Sequence, residues 1–192
     1  MQDDNTLIQK ARSGDTGAFE QLLYRYDRHV LNIAYSFRNS EDDAKDIYQE
    51  VFIRVFRGLK NFQFRSEFST WLYRITTNVC ISYKRKENRH NLDSLDESVF
   101  EDEGASVKLS DLIEGDSSAD NLAISSDYSK YINSAIETLP AQQKMAFTLK
   151  YYQGYKVKEI ADMMQCAEGT IKRYLFNAVN KLREELKGII NN

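Results

Sequence analysis

Hydrophobic and polar positions in the first 60 residues follow a helical period. Between positions 18 and 37 apolar side chains recur three and four residues apart, which predicts one long helix or two consecutive helices. Ser40 follows as a candidate N-cap, and the acidic residues 41–43 suit the positive end of a helix dipole. The helix that begins there runs on through Phe56, with a predicted buried stripe of Ile47, Val51, Val55 and Leu59.

A segment of polar and interleaved aromatic residues begins at Asn61 and runs into the next predicted helix, which continues to Lys86. Its predicted buried stripe is Leu72, Ile75, Val79 and Tyr83, and its other face offers Tyr73, Arg74, Thr77, Asn78, Ile81, Lys84 and Arg85. Bases stack on aromatic rings and cations neutralise phosphates, so this mixture is typical of a surface that binds single-stranded nucleic acid. The plainer interpretation is core packing, which we expect for at least half of the four aromatics Phe62, Phe64, Phe68 and Trp71.

The C-terminal 65 residues predict four helices. One helix ends at Leu139, Pro140 opens the next, and Gly154 closes it. A short helix over 157–164, a tight turn over 165–168 and a longer helix over 169–187 then form a helix-turn-helix pattern. The second of these helices presents Thr170, Lys172, Arg173, Tyr174 and Asn177 opposite its apolar side, which suits contacts to base edges and phosphates or an ordinary solvated face.

The distribution of charge along the chain is more informative than the formal net charge of −3. The net charge is −4 over 1–53, +7 over 54–90, −10 over 91–127 and +4 over 128–192. A segment as acidic and weakly hydrophobic as 91–127 buries too little apolar surface to offset its ordering entropy, so it is predicted to be a flexible linker. We therefore expect an all-α protein with a helical domain over 1–90, the linker, and a winged-helix-like four-helix domain over 128–192.

Composition narrows the class of protein. One proline and eight glycines in 192 residues are too few turn residues for an all-β fold. No segment has the ~20 consecutive apolar residues of a membrane span, and the first residues do not resemble a signal peptide, which predicts a cytoplasmic protein without membrane insertion. Cys80 and Cys166 lie far apart and outside any metal-ligand pattern, so we expect two reduced, buried thiols and no metal or other cofactor.

An enzymatic interpretation rests on one cluster only. Asp43, Asp46 and Glu50 share a helical face and together suggest a divalent-metal site, but acidic residues near a helix start are common and neither histidine stands at ligand spacing. The chain shows no nucleophile elbow and no glycine-rich phosphate loop. We therefore expect no catalytic residues.

Three segments together resemble the extracytoplasmic-function subgroup of the sigma-70 family of bacterial sigma factors. They are Asp42–Phe52, the stretch Phe68–Ile75 with Asn78, and Leu139-Pro140 followed by Ile160-Ala161 and Glu168–Lys172. Each is weak alone, but their order and spacing match the family over nearly the whole chain. The resemblance implies a non-catalytic transcription initiation factor that binds core RNA polymerase and directs it to promoter DNA.

The resemblance also implies roles for particular residues. The polymerase-binding surface would be Asp46, Gln49, Glu50 and Ile53. Unpaired bases of the −10 element would be held by Phe64, Arg65, Ser66, Trp71, Arg74, Thr77, Asn78, Lys84 and Arg85. The −35 element would be read as duplex by Thr170, Lys172, Arg173, Tyr174 and Asn177. Members of this subgroup often have an anti-sigma factor as a partner.

Several points stay open at the level of sequence. Tyr174, Asn177 and Gln165 depart from the residues that the family usually carries at these places, which leaves the −35 sequence undetermined. The acidic linker suits either a basic polymerase channel or a fold back onto the protein's own basic segments. The alternative functions are a stand-alone helix-turn-helix regulator, which would bind duplex DNA without polymerase, and a metalloenzyme centred on Asp43, Asp46 and Glu50.

Overall fold

The computed structural model describes residues 3–92 and 126–190, and all regular structure within these ranges is helical. The N-terminal module contains α1 (Asp4–Arg12), α2 (Thr16–Arg38), α3 (Glu41–Leu59) and α4 (Phe68–Leu92). The C-terminal module contains α5 (Ser126–Glu137), α6 (Ala141–Phe147), a π-helical turn (Thr148–Tyr152), α7 (Val157–Met164) and α8 (Glu168–Ile190). The all-α prediction is thus confirmed. The predicted linker lies outside the described residues except at its two ends.

Helix starts in the N-terminal module follow from capping side chains. The Ser40 hydroxyl accepts a hydrogen bond from the Asp43 amide at 3.3 Å, which confirms the predicted N-cap of α3. Asp15 caps α2 in the same way through the Ala18 amide at 3.0 Å, and residues 16–38 form one helix. Helix α1 was not predicted, because its two buried apolar residues, Leu7 and Ile8, are too few to establish a period.

Helix α4 begins earlier than the sequence suggested. It starts at Phe68, whereas the predicted buried stripe begins at Leu72, so residues 68–71 of the aromatic segment also lie inside the helix. Phe68, Leu72 and Val79 are buried along one side, and together they continue the apolar period back into that segment. The loop between α3 and α4 is therefore short and comprises residues 60–67; we call it the aromatic loop.

The helix-turn-helix prediction is confirmed by α7 and α8. Gln165 adopts φ 54° and ψ 45°, the left-handed conformation that turns the chain between the two helices. Ile160, Ala161 and Ile171 are buried where these helices pack. The predicted helix over 141–151 is instead α6 followed by the π-helical turn, closed by the Gln153 amide on the Thr148 carbonyl at 3.1 Å.

The two modules pack directly against each other, which the sequence did not predict. A single core cluster joins buried residues of α1–α4 to Met145, Leu149, Ile160 and Met163 of the C-terminal module. Helix α4 lies against α6 and α7, and α2 lies against the π-helical turn. A smaller cluster, Ala135, Ile136, Leu139, Ala178 and Leu182, holds α5 against α8.

Candidate nucleic-acid interface

Four aromatic rings gather where the aromatic loop meets α4. The centroid of Phe62 lies 5.0 Å from Phe64, 5.9 Å from Phe68 and 5.1 Å from Trp71, mostly in the edge-to-face and tilted arrangements that aromatic pairs prefer. Phe62 and Phe68 are buried, Trp71 is half-buried, and Phe64 is 39% exposed. The expectation that at least half of these rings serve the core is confirmed, since Trp71 also packs partly against it and of the four only Phe64 is exposed.

Phe64 is held in an unusual conformation. Its φ is 55°, in the left-handed region that bulky residues rarely adopt, and such strain persists only where surrounding contacts impose it. The contacts come from Phe62 and from Arg12 of α1, whose guanidinium carbon is 6.0 Å from the Phe64 ring centroid and whose Nη1 donates to the Phe62 carbonyl at 3.4 Å. The strained loop therefore presents an aromatic ring to solvent.

Arg12 and Gly58 support the aromatic loop, and sequence analysis assigned neither of them a role. A Cβ at Gly58 would lie 3.1 Å from Cζ2 of Trp71, so the glycine in α3 makes room for the indole ring. A lone glycine inside a helical pattern is a signal from which this close approach could have been predicted. Arg12 gave no such signal, because its contact spans about fifty residues of sequence.

The nine residues predicted to bind single-stranded DNA fall into two groups. Six reach the surface around the aromatic loop and along α4: Phe64, Arg65, Asn78 and Arg85 are exposed, and Ser66 and Trp71 are half-buried. The other three, Arg74, Thr77 and Lys84, contact the C-terminal module. Arg74 Nε donates to the Asp162 carbonyl at 2.8 Å, Thr77 Oγ1 to the Met163 carbonyl at 3.0 Å, and Lys84 Nζ to Glu137 at 2.9 Å.

Burial separates two members of the second group, Thr77 and Lys84, from the first group, whereas Arg74 is half-buried. Thr77 has no exposed surface and Lys84 only 7%, whereas sequence analysis had placed both on an outer face of α4. Tyr73, predicted on the same face, is also buried. The reason is the packing of α6 and α7 on this side of α4, which helical periodicity within one segment does not report.

Arg38 fixes α4 to its neighbours in the N-terminal module. Its Nε and Nη2 donate to Asp43 Oδ2 of α3 at 2.9 and 2.7 Å, and its Nη1 and Nη2 donate to the Glu87 carboxylate of α4 at 2.7 and 2.8 Å. These hydrogen bonds hold the pKa of Glu87 below its ordinary value. Tyr83 donates to the other oxygen of Asp43 at 3.1 Å. The Asp43 carboxylate thus serves a structural ion pair.

The residues predicted to bind polymerase lie together on the outer side of α3. Asp46, Gln49 and Ile53 are exposed, and Glu50 accepts a hydrogen bond from Arg54 at 2.6 Å. An open apolar groove borders them, lined by Phe19, Tyr48, Phe52 and Phe56. Phe56 is 58% exposed, an unusual position for a large apolar side chain. Sequence analysis missed the groove, although Phe56 stands three residues from Ile53 on the same helix.

The three carboxylates of the metalloenzyme alternative do not form one site. Asp43 is engaged by Arg38 and Tyr83, Glu50 is paired with Arg54, and Asp46 faces solvent. Over residues 3–92 and 126–190, no three histidine, cysteine, aspartate or glutamate side chains gather as metal ligands.

The predicted −35 residues lie along the N-terminal half of α8. Lys172 and Arg173 are exposed, while Thr170, Tyr174 and Asn177 are half-buried. Tyr174 packs against the core, which leaves only part of its ring outside. Ile171, Leu175 and Ala178 are buried on the opposite side. The helix therefore presents cationic and polar side chains beginning near its N-terminus, as an inserted recognition helix requires.

Two family models match the two modules. Residues 22–90, which span α2 to most of α4, match Sigma-70 region 2, and residues 129–182, from α5 into α8, match Sigma-70, region 4. The ECF RNA polymerase sigma-E factor of Escherichia coli (strain K12) is 31% identical over 97% of this chain and 96% of that protein. The chain belongs to the sigma-70 family, in its extracytoplasmic-function subgroup. The aromatic loop of this sigma factor lies within the region 2 match, and the helix-turn-helix lies within the region 4 match.

Two further comparisons agree with this assignment. The RNA polymerase sigma-H factor of Pseudomonas aeruginosa is 29% identical over 99% of this chain and 97% of that protein. The structure of the sigma factor RpoE in complex with the anti-sigma factor NepR from Bartonella quintana has a TM-score of 0.57 at 25% identity, and covers 88% of this chain and 96% of that one. Of the helices in the described ranges, none is both long and apolar enough to cross a membrane.

Proposed function

We propose that this sigma factor gives core RNA polymerase its promoter specificity and supports strand opening without catalysing a reaction. Its domains are 1–90, which binds polymerase and the opened −10 element, and 128–192, which reads the −35 duplex, with 91–127 as an acidic linker. It acts in the cytoplasm, where bacterial polymerase transcribes. The observation that carries the proposal is the strained, exposed Phe64 in the loop before α4, together with Asn78 and Arg85, which are exposed farther along that helix.

Capture of an unpaired base needs a ring to stack on, a polar group for the base edge and a cation for the phosphate. Phe64 and Trp71 offer the ring faces, Asn78 the amide, and Arg65 and Arg85 the cations. Stacking of one base on a ring contributes ~1–3 kcal/mol, which is comparable with the few kcal/mol that unstacking costs. This surface is suited to hold an opened strand with no covalent chemistry.

Polymerase binding is assigned to the outer side of α3. Asp46 supplies an exposed charge on the same helix as Ile53 and Phe56, two of the residues that line the apolar groove. A docking surface of this kind combines a desolvated apolar centre with a charged rim. We also propose an anti-sigma factor as a regulatory partner, because the similar protein from Bartonella quintana was solved in complex with one.

Duplex recognition is assigned to α8, with Lys172 and Arg173 as the leading contacts. A stand-alone regulator would use the same helix, but it would not need the α3 surface or the aromatic loop. The region 2 and region 4 matches, in that order along one chain, favour the sigma factor.

Reconstituted transcription tests the proposal. Core polymerase with the purified chain is expected to give promoter-dependent run-off transcripts, and core polymerase alone is not. Asn78→Ala is expected to slow strand opening while duplex binding stays within about twofold, because the partner of Asn78 exists only after the strands part. Asn5→Ala, an exposed asparagine on α1, is the matched control. Duplex binding by the chain alone, with no effect on polymerase, would instead identify a stand-alone regulator.

A further inference from the structure

Helix α1 is fixed to the rest of the N-terminal module by apolar and polar contacts. Leu7 and Ile8 have no exposed surface and belong to the larger core cluster. The Asp4 carboxylate accepts hydrogen bonds from Arg25 and Tyr26 of α2. A side chain at the C-terminal end of α1 therefore extends from a fixed backbone position.

Arg12 is the last residue of α1, and a tight turn follows it. The Gly14 amide donates to the Ala11 carbonyl at 3.0 Å, and Gly14 has φ 98°, a conformation that glycine adopts without steric cost. The turn leads the chain into α2 and leaves the Arg12 side chain exposed.

Two interactions connect Arg12 to the aromatic loop. Its Nη1 donates to the Phe62 carbonyl at 3.4 Å, and its guanidinium carbon lies 6.0 Å from the centroid of the Phe64 ring, within the range of a cation–π contact. The first interaction holds the loop backbone two residues before Phe64, and the second holds the ring. Arg12 therefore acts on both parts of the residue that carries the strained φ of 55°.

The position of the Phe64 ring decides whether it can receive a base. The ring is 39% exposed although Arg12 lies over it, so part of its surface is available for stacking. A side chain that is already held in its binding orientation has less conformational freedom to lose when its partner arrives. Strained conformations persist only where neighbouring groups impose them. Loss of the guanidinium would thus let the ring and its backbone leave this orientation.

We propose that Arg12 is a positioning residue for capture of the opened strand. It holds Phe64 in the orientation in which a base stacks on the exposed part of the ring, and it acts through the ring rather than through a contact of its own with DNA. This inference rests on the proposed function of the aromatic loop. Helix α1 precedes residues 22–90, the segment that matches Sigma-70 region 2, so the family match assigns no role to Arg12.

Substitutions of Arg12 in the full-length chain test the inference. Arg12→Met keeps an unbranched side chain but removes the donor and the positive charge, and Arg12→Lys restores both. Arg28→Met is the matched control, because Arg28 is an exposed arginine of α2 in the same module. The readout is the equilibrium between closed and open promoter complexes of reconstituted holoenzyme. It is followed by the fluorescence of 2-aminopurine in the −10 non-template strand of a promoter that is obtained by sequencing run-off transcripts.

Arg12→Met is expected to lower the equilibrium constant for opening by about 2- to 10-fold, the effect of losing one hydrogen bond and one exposed cation–π contact. Arg12→Lys is expected to restore part of this loss, and the control is expected to leave opening unchanged. Urea unfolding shows that each variant is folded at the assay temperature. A purely structural role of Arg12 would lower the unfolding free energy and leave the opening equilibrium of the folded protein unchanged.

A double-mutant cycle separates positioning from direct contact with the strand. In the Phe64→Ala background, Arg12→Met is expected to cause no further loss of opening, because the ring through which Arg12 acts is absent. The same fold loss from Arg12→Met in both backgrounds would show that Arg12 contacts the strand itself, and it would overturn the positioning role.

The other contrary results distinguish this inference from the proposed function. Native opening by Arg12→Met together with impaired opening by Phe64→Ala overturns the inference and leaves the proposed function standing. Equal losses in the methionine and lysine variants also overturn it, because the charge and the donor are the features assigned to Arg12. Native opening by Phe64→Ala overturns the single-strand role of the ring and this inference with it. Absence of promoter-dependent transcripts from the native protein overturns the proposed function and the inference together.

Discussion

Two substitutions of Phe64 separate its strain from its stacking surface. At φ 55° a side chain with a Cβ costs about 1–2 kcal/mol relative to the right-handed conformation, a cost that glycine does not carry. Glycine instead costs about 0.5–1 kcal/mol more than alanine in conformational entropy on folding. Alanine and glycine both remove the ring and its 5.0 Å contact with Phe62, so that loss cancels between them. Phe64→Gly is therefore expected to be more stable than Phe64→Ala by about 0.5–1 kcal/mol.

Both substitutions are expected to impair promoter opening to the same degree, because both remove the ring. Loss of one stacked base corresponds to ~1–3 kcal/mol, which is about 5- to 150-fold in the equilibrium between closed and open promoter complexes. The assay is the fluorescence of 2-aminopurine placed in the −10 non-template strand, with reconstituted holoenzyme, and urea unfolding gives the stabilities. Tyr131→Ala, an exposed aromatic residue of α5, is the control for loss of a surface ring.

Two results would refute this reasoning. Native opening by Phe64→Ala shows that the ring holds no base. An alanine variant that is more stable than the glycine variant by about 0.5–1 kcal/mol, the entropy difference alone, shows that the left-handed conformation of Phe64 carries no strain.

Four further expectations follow. Gln165→Gly is expected to raise the unfolding free energy by about 0.5–1 kcal/mol, measured in urea, because Gln165 caps α7 at φ 54°; a loss of stability would contradict this. Ile53→Ala is expected to weaken core polymerase binding by about 1–2 kcal/mol in a titration with labelled protein. Leu31→Ala, at another exposed apolar residue, is the control. Equal affinities of the Ile53 variant and the native protein would contradict the expectation. Arg173→Ala is expected to weaken −35 duplex binding by ~1–3 kcal/mol in gel shifts. The control Arg183→Ala, at another exposed arginine of α8, is expected to leave the affinity unchanged. An unchanged affinity of the Arg173 variant would show that Arg173 belongs to a solvated face. The pKa of Glu87 is lowered in the fold, so the stabilisation by its carboxylate is present at neutral pH and is lost as the pH falls below the ordinary glutamate value of 4.5. Glu87→Gln is therefore expected to flatten the acid limb of a profile of unfolding free energy against pH. An unaltered acid limb would contradict this.

Local signals in the sequence predicted most of the helices. The Ser40 cap, the apolar period from Ile47 to Leu59 and the Leu139-Pro140 boundary act over one or two turns, so a single segment contains all the information they need. Helix α1 was not predicted, because Leu7 and Ile8 alone form no helical repeat of apolar residues. The π-helical turn was not predicted, because a single inserted residue barely disturbs the helical period of apolar residues.

The candidate site was predicted less completely, for reasons of tertiary packing. Thr77 and Lys84 are polar, and a polar residue on a predicted helix is expected to face solvent; only the docking of α6 and α7 explains their burial. The strained residue Phe64 has its ring beside Arg12, which is distant in sequence. Family resemblance supplied the set of residues, whereas the structure shows which of them reach the surface in this arrangement.

Photocrosslinking in the open complex tests the central claim most directly. The non-template strand of a promoter recovered by sequencing run-off transcripts would carry 5-iodouracil at successive −10 positions, and crosslinked peptides would be mapped by mass spectrometry. The account predicts crosslinks to residues 64–85, with Phe64 and Trp71 the leading acceptors. Crosslinks confined to other parts of the chain, with residues 64–85 unlabelled in complexes that still initiate transcription, would contradict it.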